Sequence, residues 1–223
     1  DFLNFVSPFI FVHPYYKWKR ATKAVRALKT TIEEKNNTVK VKVALDVQFM
    51  KNAYVSYTVY PDGKLAVYHS AVPKAALLRF GFQWNVDKSL TQISWYGRGE
   101  APFYPDRKTG YKIGKYSLPI DKFEYTYMRP QESSTRADVR YFTLTDKKGN
   151  GIKVTAYYDK PVLFSALPYT PFMLDKYEHV TDIDRTHDIT VNVDSSQYGI
   201  GGDMPGQAFV RDKYQVKAGE KQA

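Results

Sequence analysis

Two pairs of carboxylates are the residues of this sequence whose types and spacing could perform acid–base chemistry. They are Glu33–Glu34 and Asp182 with Asp184. The first pair falls at the charged end of a predicted helix and the second in a polar loop, so we interpret both as solvated surface pairs. The sequence therefore assigns no catalytic residue to this chain.

The stretch Trp95–Arg107 (WYGRGEAPFYPDR) has the most particular residue order in the chain. Gly97 and Gly99 can adopt a positive φ, so a sharp turn between them could point Arg98 away from its strand. Two interpretations stay open. The stretch is either an active-site loop or a structural corner closed by an ion pair between Arg98 and Asp106.

A second polar stretch, Tyr127–Asp146, precedes an alternating strand. Six polar or charged side chains fall within twelve residues: Arg129, Gln131, Glu132, Arg136, Asp138 and Arg140. Long ionisable side chains near a sheet end must pair to be held in place, which predicts a polar network. A plain surface loop is the alternative.

Metal and cofactor sites are not predicted. His13, His69 and His187 lack partners at metal-ligand spacing, His179 is interpreted as structural, and the absence of cysteine excludes disulfides and thiolate ligands. The glycine-rich run 199–203 lacks the Lys-Ser/Thr pair and the helix of a phosphate-binding loop. We expect no cofactor in this chain.

The formal net charge of +10 raises the question of nucleic-acid binding. Positive charge is concentrated in Lys17–Lys29, whereas elsewhere it alternates with apolar residues as on a solvated strand face, so no nucleic-acid partner is predicted.

Pro8 and Pro14 interrupt the apolar start, which lacks a basic region, and we predict neither a signal peptide nor a membrane span. Localisation stays open between cytoplasm and periplasm.

The composition and periodicity favour strands. The 223 residues include 19 Tyr and 13 Phe, and Val39, Val41 and Val43 alternate with lysines from Thr38 onward. Pro61–Gly63 and Asp146–Gly151 are hairpin signals between alternating runs. Apolar residues at helical spacing predict a helix over residues 17–35.

Short strands with regular turns are typical of a sandwich or a barrel. No repeat, linker or composition break divides the chain. The sequence therefore predicts one all-β domain over residues 1–223, with an irregular or helical lead-in (1–37) and a sandwich body (38–223).

Four blocks carry a resemblance to a known family. They are WYGRG (95–99) with Tyr104, Asp106 and Arg107; RPQES (129–133) with Arg136, Asp138 and Arg140; FSALPYT (164–170) with His179; and NVDSSQYGIGGD (192–203). In their order and spacing they resemble the C-terminal domain of family 2 β-galactosidases, also called the β-galactosidase small chain. The resemblance extends from about Trp18 to the C-terminus.

The resemblance implies a large antiparallel β-supersandwich of the galactose mutarotase type. Retaining glycoside hydrolysis uses two carboxylates, which in this family are glutamates of a (β/α)₈ barrel that this chain lacks. The implied partner is that catalytic barrel, as part of the same polypeptide or as a separate large subunit. We interpret nine polar residues as a structural network: Arg98, Tyr104, Asp106, Arg107, Arg129, Glu132, Arg136, Asp138 and His179.

Family members lend the segment after the Gly-Gly-Asp step to the rim of the sugar pocket, usually with a tryptophan for the aglycone. The corresponding rim candidates here are Gly202, Asp203, Met204 and Gln207, and the tryptophan is missing. Met204 could offer an apolar contact instead. A glycine turn that joins two strands is the alternative interpretation.

The sequence also departs from the family within the stretch Trp95–Arg107. Glu100 and Pro102 replace the usual order of a proline followed two residues later by a glutamate, so the carboxylate has moved by two residues. The mobile active-site loop that the family has near the start of this domain is not visible in residues 4–17.

Two functions from other classes are alternatives to a domain of a β-galactosidase. The first is a free-standing carbohydrate-binding module that binds galactosides. The second is a mutarotase-like epimerase, which needs a histidine and a carboxylate facing each other, with His179 and Glu132 as the candidates. The leading interpretation predicts an apolar exposed face that lies against another domain.

Overall fold

The computed structural model describes Trp18, Ala21 and residues 24–157, 160–201 and 210–223. Nearly all regular structure in these ranges is antiparallel β-sheet, which confirms the all-β prediction. The described chain divides into two compact units, one within Arg79–Tyr214 and one formed by residues up to Leu78 with Gln215–Ala223. The single domain over residues 1–223 stays a prediction.

The unit that includes residues up to Leu78, called the four-stranded unit, contains one antiparallel sheet whose strands follow chain order. Its strands are β1 (Arg26–Lys35), β2 (Thr38–Asp46), β3 (Met50–Val59) and β4 (Leu65–Pro73). The predicted Pro61–Gly63 turn joins β3 to β4, and the Asp62 carboxylate accepts a hydrogen bond from Lys64 N at 3.1 Å. Both the alternating pattern and the hairpin are confirmed.

The predicted helix over residues 17–35 is wrong for its second half. Trp18 and Ala21 are helical and buried, and Trp18 Nε1 donates to Ala76 O at 2.7 Å. Residues Arg26–Lys35 instead form β1 and pair with β2. Thr30, Thr31 and Ile32 are β-branched, so pairing with an adjacent strand outweighs the short helical spacing around them.

The two sides of this sheet differ in polarity. Strand register places Ile32, Val41, Tyr57 and Val67 side by side on one face. Thr31, Lys42, Ser56 and Tyr68 form the corresponding row on the other face. Side chains alternate along a strand, so the sheet has one largely apolar and one largely polar side.

The second unit, the sandwich unit, contains two four-stranded sheets with the orders β10-β9-β6-β7 and β5-β12-β11-β8. The strands are β5 (Arg79–Val86), β6 (Gln92–Arg98), β7 (Ile113–Pro119), β8 (Arg136–Val139), β9 (Tyr141–Thr145), β10 (Gly151–Thr155), β11 (Val162–Leu167) and β12 (Ile189–Gln197). Two short helices, α1 (Ile120–Phe123) and α2 (Pro171–Lys176), and the 3₁₀ turns Val180–Asp182 and Asp212–Tyr214 lie between or after them.

The core of the sandwich unit lies between its two sheets. Trp95 on β6 and Phe142 on β9 are buried against Phe164 on β11. The Phe142 and Phe164 rings stack with centroids 4.3 Å apart and planes inclined by 6°. Alternate residues of both sheets fill one core, as in a β-sandwich. The supersandwich architecture implied by the family stays a prediction.

Candidate functional site

The stretch Trp95–Arg107, called the corner segment below, leaves the end of β6 in a sharp turn. Gly99 has φ +58°, and a Cβ at this position would lie 2.5 Å from the Phe103 ring. Trp95 Nε1 donates to Gly99 O at 3.2 Å, so the core tryptophan fixes the turn. The predicted turn is present only from Gly99, where both φ and space require glycine, whereas Gly97 and Arg98 still belong to β6 and pair with β7.

Arg98 pairs with Asp138 and not with Asp106, so the predicted Arg98–Asp106 ion pair is wrong. Arg98 Nε lies 2.7 Å and Lys108 Nζ 2.6 Å from the two oxygens of Asp138. Arg140 N donates to Tyr96 O at 2.8 Å, which places the end of β8 beside β6. This backbone contact joins segments that are distant in sequence, so the residue spacing within the corner segment could not predict the Arg98–Asp138 pair.

The electrostatics of Asp138 follow from these two cations. Burial alone would raise the pKa of its carboxyl, but the hydrogen bonds and charges of Lys108 and Arg98 lower it below the ordinary value. Asp138 also has a left-handed backbone, with φ +52°. The group is an ionised cross-link between the corner segment and the strand β8.

Asp106 binds the backbone of a different segment. Its Oδ1 accepts a hydrogen bond from Ile200 N at 3.1 Å, and its Oδ2 accepts one from Gly201 N at 2.8 Å. Arg107 Nη2 donates to Gly201 O. A Cβ on Gly199 would lie 2.5 Å from Oδ2 of Asp106, so the chain can approach the carboxylate closely here because residue 199 is glycine.

These contacts form an anchor between the corner segment and residues 199–201. The rim candidates Gly202, Asp203, Met204 and Gln207 follow the anchor directly in the chain, but they lie outside the described residues. Their role stays a prediction. The anchor connects the corner segment to the start of the segment that the family resemblance singled out.

Glu132 and Tyr104 belong to a third group. The Tyr104 hydroxyl donates to Oε2 of Glu132 at 2.5 Å, and Thr135 Oγ1 donates to Oε1 at 3.0 Å. Desolvation by the surrounding protein raises the pKa of Glu132, although the charge of Arg79 and the two hydrogen bonds oppose the rise. Burial and the Glu132 carboxylate also raise the pKa of the Tyr104 hydroxyl.

Arg79 lies between this carboxylate and a second one. Its Nε donates to Oδ2 of the buried Asp194 at 3.0 Å. Burial opposes the positive charge of Arg79, yet Asp194 and then Glu132 raise its pKa. Sequence analysis did not single out either Arg79 or Asp194 as a site residue, because the strands β5 and β12 that pair them are far apart in the chain.

Arg136 is a core residue. It is 1% exposed and its guanidinium lies 4.0 Å from the centroid of the Phe123 ring. Nη1 and Nη2 donate to the carbonyl oxygens of Ser134 and Phe123 at 2.9 and 3.0 Å. Burial lowers the pKa of Arg136 to about 9, although the charge of the exposed Glu100 acts in the opposite direction.

Arg129 and His179 lie outside these groups. Both are exposed, and the Arg129 guanidinium makes no hydrogen bond or ion pair with a residue that the structure describes. His179 precedes the Val180–Asp182 turn, where its carbonyl accepts a bond from Asp182 N at 3.0 Å. Among the described residues, no hydrogen bond or ion pair joins His179 to Glu132, the pair that an epimerase would need.

One ion pair of this region was missed by sequence reasoning. Arg185 Nε and Nη2 donate to the two oxygens of Glu124 at 3.0 and 2.8 Å. The Tyr169 hydroxyl adds a bond to Oε1 at 3.1 Å, and burial followed by the charge of Glu124 raises the pKa of Tyr169. The three residues lie in separate loops, so no local spacing could have indicated the group.

The two carboxylate pairs do not form an acid–base site. Glu33 and Glu34 lie on the exposed strand β1, not at a helix end, and successive strand residues point to opposite faces. Asp182 and Asp184 are exposed, and Asp184 accepts a bond from Thr186 N at 2.8 Å. Over the described ranges, no three His, Asp or Glu side chains are grouped so that they could hold a metal.

Within the parts of the chain that the structure describes, no helix is long and apolar enough to cross a membrane.

Comparison with known proteins gives a consistent result. The family model described as "Beta galactosidase small chain" matches residues 8–223. The chain is similar to β-galactosidases of Priestia megaterium (32% identity over 206 residues), Halalkalibacterium halodurans (31% over 211) and Lactobacillus delbrueckii subsp. bulgaricus (34% over 193).

These matches cover 90%, 90% and 84% of this chain but only 20%, 20% and 19% of the respective relatives. The chain thus spans about a fifth of the length of the relatives that it matches. The family match along nearly its whole length agrees with the all-β sheets and with the four sequence blocks. The chain belongs to the β-galactosidase small chain family.

Proposed function

We propose that this chain is the C-terminal part of a β-galactosidase and packs against a catalytic barrel supplied by the rest of that enzyme. The observation that carries the proposal is the family match along the chain combined with a span of one fifth of its relatives. The rest of the enzyme is either the same polypeptide or a separate large subunit. In this proposal the chain contributes structure, and the barrel contributes the two carboxylates.

The experiment is reconstitution of activity from two parts. The chain and the remainder of its parent enzyme are expressed separately and together, and hydrolysis of o-nitrophenyl β-galactoside is measured. We expect the chain alone to be inactive, the remainder to be weakly active or inactive, and the combination to be active. A remainder that is fully active without the chain would contradict the proposal, as would hydrolysis by the chain alone.

We further propose that Gly202, Asp203, Met204 and Gln207 contribute to the rim of the sugar site. Support comes from the anchor, because Asp106 and Arg107 bind residues 200 and 201 just before this segment. An apolar side chain at the rim can cover the apolar C–H face of an aglycone. Met204 would have this role in place of the tryptophan that is usual in the family.

The rim proposal is tested in the reconstituted enzyme with Met204→Ala and Met204→Trp. We expect the alanine variant to raise KM for substrates with an aromatic aglycone and the tryptophan variant to lower it. KM for lactose should change in the same direction, because its glucose aglycone also has an apolar C–H face. Unchanged KM values for all substrates in both variants would show that residue 204 does not contact the aglycone.

Sugar binding by the chain alone is a second candidate function. It is supported by Tyr125 and Tyr127, which are 50% and 42% exposed with ring centroids 5.1 Å apart. Exposed aromatic rings are the groups on which sugars stack. Calorimetry of the isolated chain with galactose and lactose tests this function. Heat of binding that disappears in Tyr127→Ala would support it, and no heat with the wild-type chain would exclude it.

A further inference from the structure

The four-stranded unit has an apolar surface that the described chain leaves partly uncovered. This surface, called the apolar face, is one side of the sheet and is formed mainly by Ile32, Val39, Val41, Val43, Val55, Tyr57, Val59, Leu65 and Val67, with Thr30, Glu34 and His69 at the remaining positions. The residues are cross-strand partners, and the row Ile32, Val41, Tyr57 and Val67 is continuous over all four strands. Register, not proximity in sequence, places them together.

The outer parts of the apolar face are open to solvent. The exposed fractions are 69% for Ile32, 56% for Leu65, 46% for Val59 and 39% for Val67. Val59 and Leu65 are direct partners on adjacent strands. Single exposed apolar side chains are common, whereas a contiguous set on one sheet face indicates a surface that another protein segment covers.

The opposite side of the same sheet shows what a solvated face looks like here. At the alternate positions it carries the exposed Lys29, Thr31, Glu33, Lys40 and Lys42 and the half-buried Thr58, and only Ser56 among the polar residues of these rows on β3 is buried. An antiparallel sheet with one wet side normally covers its other side. The apolar face is therefore the side of the sheet that requires a partner, and the polar face is the matched surface that does not.

We infer that the apolar face docks against the remaining polypeptide of the parent β-galactosidase. The chain spans about a fifth of the length of the relatives that it matches, and under the proposed function the remaining polypeptide packs against it. This inference rests on the proposed function and adds the surface involved. The docking partner is expected to present an apolar patch, because burial of apolar area on both sides drives such an interface.

The test compares charge introduced on the two faces of the same strands. Ile32→Glu with Leu65→Glu places two carboxylates on the apolar face, in β1 and β4. Thr31→Glu with Tyr68→Glu is the control, which places two carboxylates on the polar face of the same two strands. Each variant is coexpressed with the tagged remainder of the enzyme, and the amount of copurified chain and the galactosidase activity are measured.

We expect the apolar-face variant to reduce the copurified chain at least about tenfold, the ratio that corresponds to ~1.4 kcal/mol of binding free energy. The control should stay within about twofold of the wild type. All four positions are exposed, so neither variant should lower the melting temperature of the chain by more than a few degrees. The milder pair Ile32→Ser with Leu65→Ser gives the same ranking if the glutamates disturb folding.

The outcomes separate the inference from the function on which it rests. A wild-type chain that neither copurifies with the remainder nor restores activity would overturn both. A wild-type chain that restores activity, with equal recovery for the apolar-face and control variants, would overturn the docking surface alone. The apolar-face variants could also abolish a dimer of this chain, measured by sedimentation, and leave the reconstitution unchanged. That result would overturn the docking surface, because a second copy of the chain would then cover the apolar face.

Discussion

Single polar residues of the corner segment have different partners and therefore different roles. Arg98 joins Lys108 on the carboxylate of Asp138, whereas Asp106 holds backbone N–H groups of residues 200 and 201. A carboxylate that accepts two backbone N–H bonds fixes a loop without a second charge. The corner segment is thus a junction between three parts of the sandwich unit.

Removal of the Asp106 carboxylate should loosen the anchor. We expect Asp106→Ala to lower the free energy of unfolding by about 2 kcal/mol, since two hydrogen bonds to an ionised acceptor are lost. Chemical denaturation of the isolated chain measures the change. Asp121→Ala is the control, because Asp121 is exposed and makes no hydrogen bond or ion pair with a described residue. Equal stability of the two variants would contradict the anchor.

His69 on β4 gives a pH-dependent prediction at the residue scale. Burial lowers the pKa of its imidazole to about 4, below the ordinary value of 6.5. The unfolded chain therefore binds this proton more readily than the folded chain, and stability is lost as the pH falls from about 6.5 to about 4.

We expect His69→Gln to remove this component of the pH dependence. Urea unfolding at pH 7 and at pH 4.5 should show that the wild type loses more stability than the variant over this interval. The comparison is made as a difference because carboxylates titrate in both proteins. Parallel losses in the two proteins would show that His69 does not contribute.

At the scale of elements, ion pairs hold loops that no strand pairing connects. Glu124 follows α1 and Arg185 follows the Val180–Asp182 turn, and their bidentate pair joins them with Tyr169 after β11. The Glu124 side chain is 6% exposed, so its partners replace most of its contact with water. Bidentate geometry makes such a pair stronger than an ordinary surface pair.

Glu124→Ala should therefore destabilise the loops more than a surface substitution does. The expected loss is about 1–3 kcal/mol in the free energy of unfolding, because Arg185 and the Tyr169 hydroxyl lose their shared acceptor. Native-state hydrogen exchange should show faster exchange in residues 169–186. The control is Glu33→Ala on the exposed strand β1. Unchanged exchange in this segment would contradict the prediction.

Glycine has a different importance in two turns of the fold. Gly99 combines a positive φ with a Phe103 ring 2.5 Å from the position of a Cβ, whereas Gly63 has a positive φ and nothing within 4 Å. Gly63→Ala should cost about 1 kcal/mol and Gly99→Ala about 2–4 kcal/mol, since the second adds a steric clash. Thermal unfolding measures both, and equal costs would contradict the packing of the corner segment.

At the scale of the whole molecule, the proposed function makes the chain one part of a larger enzyme. Its four-stranded unit presents an apolar face, and its sandwich unit anchors the start of the proposed rim segment. A partner that binds the folded chain but not the unfolded chain stabilises it by mass action. We therefore expect the melting temperature of the chain to rise in the reconstituted enzyme, as measured by calorimetry of the free and assembled chain. No rise at saturating remainder would contradict this expectation.

Much of the architecture could be predicted from local sequence patterns. Alternation from Thr38 onward predicted the strands, and the Pro61–Gly63 turn predicted the β3–β4 hairpin. These features depend on side chains a few residues apart. The helix predicted over residues 17–35 was wrong for β1. This strand is stabilised by pairing with β2, and the spacing of apolar residues within β1 carries no information about that pairing.

The candidate site was predicted less completely. The sequence identified Arg98, Tyr104, Asp106 and Glu132 as members of polar groups, but it paired Arg98 with Asp106 and did not assign Arg79 or Asp194. Charge and spacing show that a side chain needs a partner. They do not show which of several distant carboxylates the folded chain brings within hydrogen-bonding distance.

The sequence by itself determined the all-β class, the hairpins and the family, because periodicity, turn residues and ordered blocks are local properties. Only the tertiary structure decided that Arg98 binds Asp138, that Asp106 holds residues 200–201, and that Arg136 is buried on Phe123. The physical reason is that a charged group removed from water is stabilised by the oppositely charged or polar group that lies next to it in the folded protein. Strand pairing between distant segments determines which group that is.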